Sequence, residues 1–122
     1  MRLQHVSIPI PPGGEDRARE FYGGLLGLEE RDVPPLLDPE RLLWFRVGGD
    51  LELHLFIEGE PPLDARHFCL AVDGELDALR ARLEAAGVVT SDTTPIVGRP
   101  RWFCRDPFGN LLELTYIEPG AA

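Results

Sequence analysis

Four side chains carry the clearest chemistry: His5, Glu52, His67 and Glu113. Two neutral imidazoles and two carboxylates make a nitrogen and oxygen donor set with a charge of about −2, which one divalent cation would cancel. Without a cation, two carboxylates close together on a half-buried face would repel each other. Such mixed ligation suits Zn, Ni, Co, Mn or Fe(II) better than Ca, and nothing here suits a soft thiolate site. On a six-coordinate ion, four protein ligands leave two positions for water or substrate oxygens.

Other residues could serve substrate. His54 lies two positions beyond Glu52 on the same strand face. It could replace Glu52 as a ligand, contact substrate or relay a proton, or simply fill space. Arg101, Phe103 and Arg105 alternate along one strand face; they could bind an anionic substrate or be surface residues. Trp44, Phe56, Trp102 and Phe103 are candidates to line a pocket. Alternation sets Trp44 opposite Phe45 and Trp102 opposite Phe103, so only part of that set can face one way. The two cysteines, Cys69 and Cys104, have neither zinc-ribbon nor disulfide-framework spacing and read as reduced core or pocket residues.

The elements that hold these residues repeat. His5 and His67 are 62 positions apart, Glu52 and Glu113 are 61 apart, and Gly27 and Gly87 are 60 apart. Trp44-Phe45 recurs as Trp102-Phe103 at an offset of 58. Four matches in one order, with small drifts, point to a duplicated module. Each copy opens with a strand that begins at or near its histidine. A helix over 15–26 or 75–86 follows, ended by Gly27 or Gly87. Strands are expected at 2–10, 28–33, 41–48 and 51–57, then at 66–73, 88–97, 100–105 and 110–117. The first module then spans 1–58, a linker 59–65, the second module 66–117 and a flexible tail 118–122, all in one domain. Every donor strand alternates: Val6, Ile8 and Ile10 oppose His5; Leu51, Leu53 and Leu55 oppose Glu52; Phe68 and Leu70 oppose His67; Leu112 and Leu114 oppose Glu113. The apolar face suits the module's helix. The other face carries the donors, and curvature of the two sheets toward each other would bring all four into one pocket.

Composition excludes other roles. A net charge of −9 disfavours nucleic-acid backbones. No apolar run reaches the roughly 20 residues of a membrane helix. The start Met1-Arg2-Leu3-Gln4-His5 lacks the apolar stretch of a signal peptide, so a cytoplasmic location is expected.

His5, EFYGGLLGLE, HFCLAVD with its ELDALRARLEAAGV helix, and RDPFGNLLEL together resemble the vicinal oxygen chelate superfamily, also called the glyoxalase, bleomycin-resistance and dioxygenase superfamily. The resemblance covers nearly the whole chain, and DPFGNLLE, ending in Glu113, is its most specific piece. It implies an α+β fold of two βαβββ modules forming a cup-shaped mixed sheet around a metal. Positions His5, His67 and Glu113 match the shared ligand set, and Glu52 matches the extra ligand of glyoxalase I-like and epimerase-like members. The resemblance thus implies a metal-dependent lyase or isomerase of a small α-oxygenated carbonyl substrate, with Glu52 or Glu113 as the base. It implies a homodimer as well. The alternatives within the family are an extradiol-type dioxygenase and a metal-free drug- or metabolite-binding protein.

Overall fold

Among the described residues, alternating apolar and polar residues build eight strands, and two amphipathic segments build the helical parts. The structure, a computed structural model, describes residues 1–58, 65–105 and 111–121. Most of the expected linker and the turn Asp106-Pro107-Phe108-Gly109-Asn110 lie outside the described residues. The chain forms two compact units. One is His5–Arg66, here the amino unit; the other, the carboxyl unit, joins Met1–Gln4 to His67–Ala122. The division falls inside β1 (Arg2–Ile10).

In the amino unit, β1 is followed by α1 (Glu15–Ala18), which continues as a π-helical segment, Arg19–Leu25. Then come β2 (Glu29–Arg31), β3 (Leu42–Gly48) and β4 (Leu51–Ile57). The strands lie in the order β2-β3-β4-β1, with β1 parallel to β4 and the other pairs antiparallel. Leu43, Phe45, Leu55 and Ala18 form the buried core, with Ile8, Ile10, Tyr22, Leu28 and Leu53 packed on it. Burying each such large side chain contributes about 1.5–3 kcal/mol.

Helical spacing expects Ala18, Phe21, Tyr22 and Leu25 to make one stripe. Ala18 is buried and Tyr22 meets the core, but Leu25 is 77% exposed. The wider π turn, with Leu26 N–H donating to Phe21 O at 2.9 Å, swings Leu25 outward. Gly23 and Gly24 weaken α-helix here, and Gly23 lies against the Phe45 ring. Gly27 ends the segment at φ 74°.

The carboxyl unit holds β5 (His67–Ala71), α2 (Leu76–Ala85), β6 (Thr90–Ser91), β7 (Arg101–Arg105) and β8 (Leu111–Thr115). Its strand order is β5-β8-β7-β6, with β5 parallel to β8, the same topology as the amino unit. Leu76, Leu79 and Leu83 of α2 pack on Val72, Trp102, Cys104 and Leu114. Gly87 closes the helix at φ 88°. The β1 end of this unit is tied by Arg2 and the Met1 amino group, both on Asp73.

Strand β6 is far shorter than the expected 88–97. Pro95 cannot donate to a ladder, and the Thr94 carbonyl accepts from the Arg101 guanidinium instead. The residues read as a tail are held at Gly98: Glu118 N–H donates to its carbonyl at 2.9 Å. No helix among the described residues is long and apolar enough to cross a membrane.

Candidate metal centre

In the carboxyl unit, β5, β8 and β7 set one donor row. Cys69 pairs with Glu113, and Glu113 pairs with Phe103. Alternation puts His67, Cys69, Glu113, Phe103 and Arg101 on the face opposite the apolar core. His67 Nε2 lies 3.6 Å from Glu113 Oε1, and the buried carboxylate is 2% exposed. The same Oε1 accepts a hydrogen bond from Arg101 Nη1 at 2.9 Å. Arg101 is held in place by the Thr94 carbonyl, to which Nε and Nη2 donate at 3.1 and 2.7 Å. The Phe103 ring meets the His67 ring edge to face, with centroids 5.1 Å apart. Burial, and then the neighbouring Glu113 charge, push the Cys69 thiol far above its ordinary range. It stays protonated and donates to Glu113.

In the amino unit, β1 and β4 place His5 beside Glu52 and Ser7 beside His54. His5, Glu52 and His54 are all buried. His54 is clamped between two rings: Trp44 stacks on it at 3.6 Å and 5°, and His5 at 3.9 Å and 23°. His54 Nε2 and Glu52 Oε1 are 3.0 Å apart, a hydrogen bond. Arg31 Nη1 approaches the other oxygen, Oε2, at 3.8 Å. Phe56 lies on the same strand face, half-buried, opposite Leu42 and Pro9.

Two sequence readings change. The first concerns charge: neither carboxylate stands without a cation, because Arg101 compensates Glu113 and Arg31 approaches Glu52. Arg101, expected to bind an anionic substrate or lie on the surface, is turned onto Glu113 and Thr94, while Arg105 is exposed. The second concerns the tryptophans. Glu52 pairs with Arg46 across its hairpin, whereas Glu113 pairs with Phe103. Trp44 therefore faces the donor side against His54, but Trp102 lies in the core. The Trp-Phe match is out of register with the glutamates: offsets of 58 and 61 differ by an odd number, which reverses the strand face.

Arg31 was not singled out in the sequence. It comes from a three-residue strand whose face shows only once β2 is paired, Arg31 against Trp44 and Trp44 against His54.

A model of the Glyoxalase/Bleomycin resistance protein/Dioxygenase superfamily matches residues 2–114. The chain belongs to this superfamily. Its α+β fold, two βαβββ modules, is the glyoxalase/bleomycin-resistance fold, as expected. No curated protein sequence matches the chain. Among solved structures, a hypothetical protein from Bacillus halodurans is 16% identical over 99% of this chain and 97% of its own, with a TM-score of 0.73. Methylmalonyl-CoA epimerase from Mycobacterium tuberculosis is 21% identical over 96% and 88%, TM-score 0.69. The Mn(II)-bound glyoxalase from Novosphingobium aromaticivorans is 23% identical over 98% of this chain but 40% of its own, TM-score 0.68. At these identities the likeness is one of fold.

Proposed function

We propose that this superfamily member is a divalent-metal lyase or isomerase of glyoxalase I-like type, acting on a small α-oxygenated carbonyl compound. Its ligands are His5, His67 and Glu113, each offering one donor atom, with Glu52 beside His5 as a fourth ligand or the base. The supporting observation is the 3.6 Å between His67 Nε2 and Glu113 Oε1. That is too long for a hydrogen bond. It is close to the separation of about 3–3.5 Å between two ligands on an ion bound at roughly 2.0–2.2 Å. The donors are nitrogen and oxygen, which fits Zn, Ni, Co, Mn or Fe(II).

When bound, the ion supplies Lewis-acid polarisation of the substrate carbonyl. The residues do the rest. Of the two glutamates, Glu113 falls to the ligand set through its neighbour His67, and Glu52 to proton transfer through its neighbour His54. Glu52 takes the proton α to the carbonyl, and His54, 3.0 Å away, steadies or relays it. The stack of Trp44, His54 and His5 fixes the imidazole plane. Phe56 and Phe103 present apolar surface to a small substrate. A Mn(II)-bound glyoxalase and an epimerase among proteins of this fold agree with the reading. We propose a homodimer as well, which sedimentation would test.

A second reading, a metal-free metabolite- or drug-binding protein, is favoured by one observation: Arg101 already compensates Glu113. Deuterium exchange at the α-carbon, followed by NMR with a panel of small α-hydroxy and α-oxo carbonyl compounds and the methylglyoxal–glutathione hemithioacetal, separates the two. Metal-dependent exchange, lost in Glu52→Gln with metal content intact, supports the enzyme. Binding of panel members without exchange, in protein that takes up no metal, supports the alternative. Oxygen uptake with catechols would instead mark a dioxygenase.

A further inference from the structure

We infer that Arg101 is a built-in counter-cation of Glu113, a positioning residue that competes with the metal for the Glu113 carboxylate and so sets the affinity of the site. The inference rests on the metal reading above and adds a control on it. One oxygen carries the conflict. Glu113 Oε1 faces His67 Nε2 at 3.6 Å and Arg101 Nη1 at 2.9 Å, so the atom placed to bind an ion is already held by a guanidinium. Arg101 is not a roaming surface side chain. Its side chain is 11% exposed, and two further donors are fixed on the Thr94 carbonyl. Those bonds fix the guanidinium on the backbone just past β6, which ends at Ser91.

The energetic consequence has two signs. A carboxylate 2% exposed needs a cationic or hydrogen-bonding partner, so Arg101 stabilises the protein without metal. The same positive charge repels an incoming dication and must give up part of its bond to Oε1. Removing Arg101 should therefore weaken the metal-free fold and strengthen metal binding. A residue with a merely structural role would weaken both. Arg31 approaches Glu52 in the amino unit from a different strand, at the longer distance of 3.8 Å, and should act in the same direction less strongly.

The test is Mn(II) titration by calorimetry, and urea unfolding of the metal-free protein, for wild type, Arg101→Gln, Arg101→Lys, Glu113→Gln and the Arg101→Gln/Glu113→Gln pair. Arg101→Gln should bind Mn(II) roughly tenfold tighter, since a full charge at hydrogen-bond distance is removed. Its metal-free unfolding midpoint should fall, and the double variant should lose less than the two single losses combined. Arg101→Lys keeps the charge without the fork and should lie between wild type and Arg101→Gln in both measurements. Should Arg101→Gln not fold, the Arg101→Lys affinity decides alone: tighter than wild type supports the inference, equal or weaker overturns it. Mn(II) binding to wild type that is unchanged or weaker in Arg101→Gln overturns the inference and leaves the metal reading standing. No Mn(II) binding to any variant overturns the metal reading and the competition with it.

Discussion

Replacing His54 by phenylalanine separates the two things this ring does. Phenylalanine keeps a flat ring between Trp44 and His5, where stacks of this kind are worth about 0.5–1.5 kcal/mol each. It removes the nitrogen 3.0 Å from Glu52 Oε1. Leaving a buried carboxylate short of one partner costs about 1–3 kcal/mol. Arg31 still approaches the other oxygen, so the lower half of that range is expected. His54→Ala loses the stacks and leaves a cavity as well, and should cost about 3–5 kcal/mol. Urea unfolding of metal-free protein reads both values, with an unchanged slope if the unfolded state is unaltered. A His54→Phe variant as stable as wild type would refute the reasoning, because the Glu52–His54 bond would then stabilise nothing. Equal losses in both variants would show that the stacks contribute nothing.

Other outcomes can be checked more simply. Leu55→Ala, at a fully buried position among Leu43 and Phe45, should cost about 2–5 kcal/mol in the same unfolding assay. Glu75, which precedes α2, has φ 58°, a left-handed conformation that strains most side chains. Glu75→Asn should therefore raise stability by roughly 1 kcal/mol, since Asn tolerates this left-handed conformation better than Glu. Cys69 should resist thiol reagents in native protein and label only on unfolding, because burial holds its thiol protonated. The Thr90 hydroxyl and then Arg80 hold the exposed Glu84 carboxyl below its ordinary 4.5. Its contribution is present above that pH and lost as pH falls through the lowered value, so wild type and Glu84→Gln should converge in acid.

Much of this was legible in the sequence because a strand's two-residue period is hard to disguise. The faces of β1, β4, β5 and β8 follow directly from alternation around His5, Glu52, His67 and Glu113. Leu76, Leu79 and Leu83 mark α2 for the same kind of reason. The failures have local causes. The π turn after Ala18 leaves the α-helical period, which no spacing of Phe21, Tyr22 and Leu25 could announce. The Trp-Phe repeat looked like a module marker, yet it sits one residue out of register. Arg101 was visible as a candidate, but its attachment to Glu113 depends on the side chain's reach across the β7–β8 pair and on the Thr94 carbonyl. Four donors alone set the charge expected of the site, and Arg31 and Arg101, which reach it from β2 and β7, change that balance.

The central claim is that imidazole and carboxylate donors from both modules hold one ion. Mn(II) titration of wild type beside His5→Ala, His67→Ala and Glu113→Gln tests it most directly. The account predicts one ion per chain in wild type and affinity at least about 100-fold weaker in each variant, beyond what losing an outer partner of a ligand would cause. Wild-type protein that takes up no divalent metal, or variants that bind it as tightly as wild type, would contradict it.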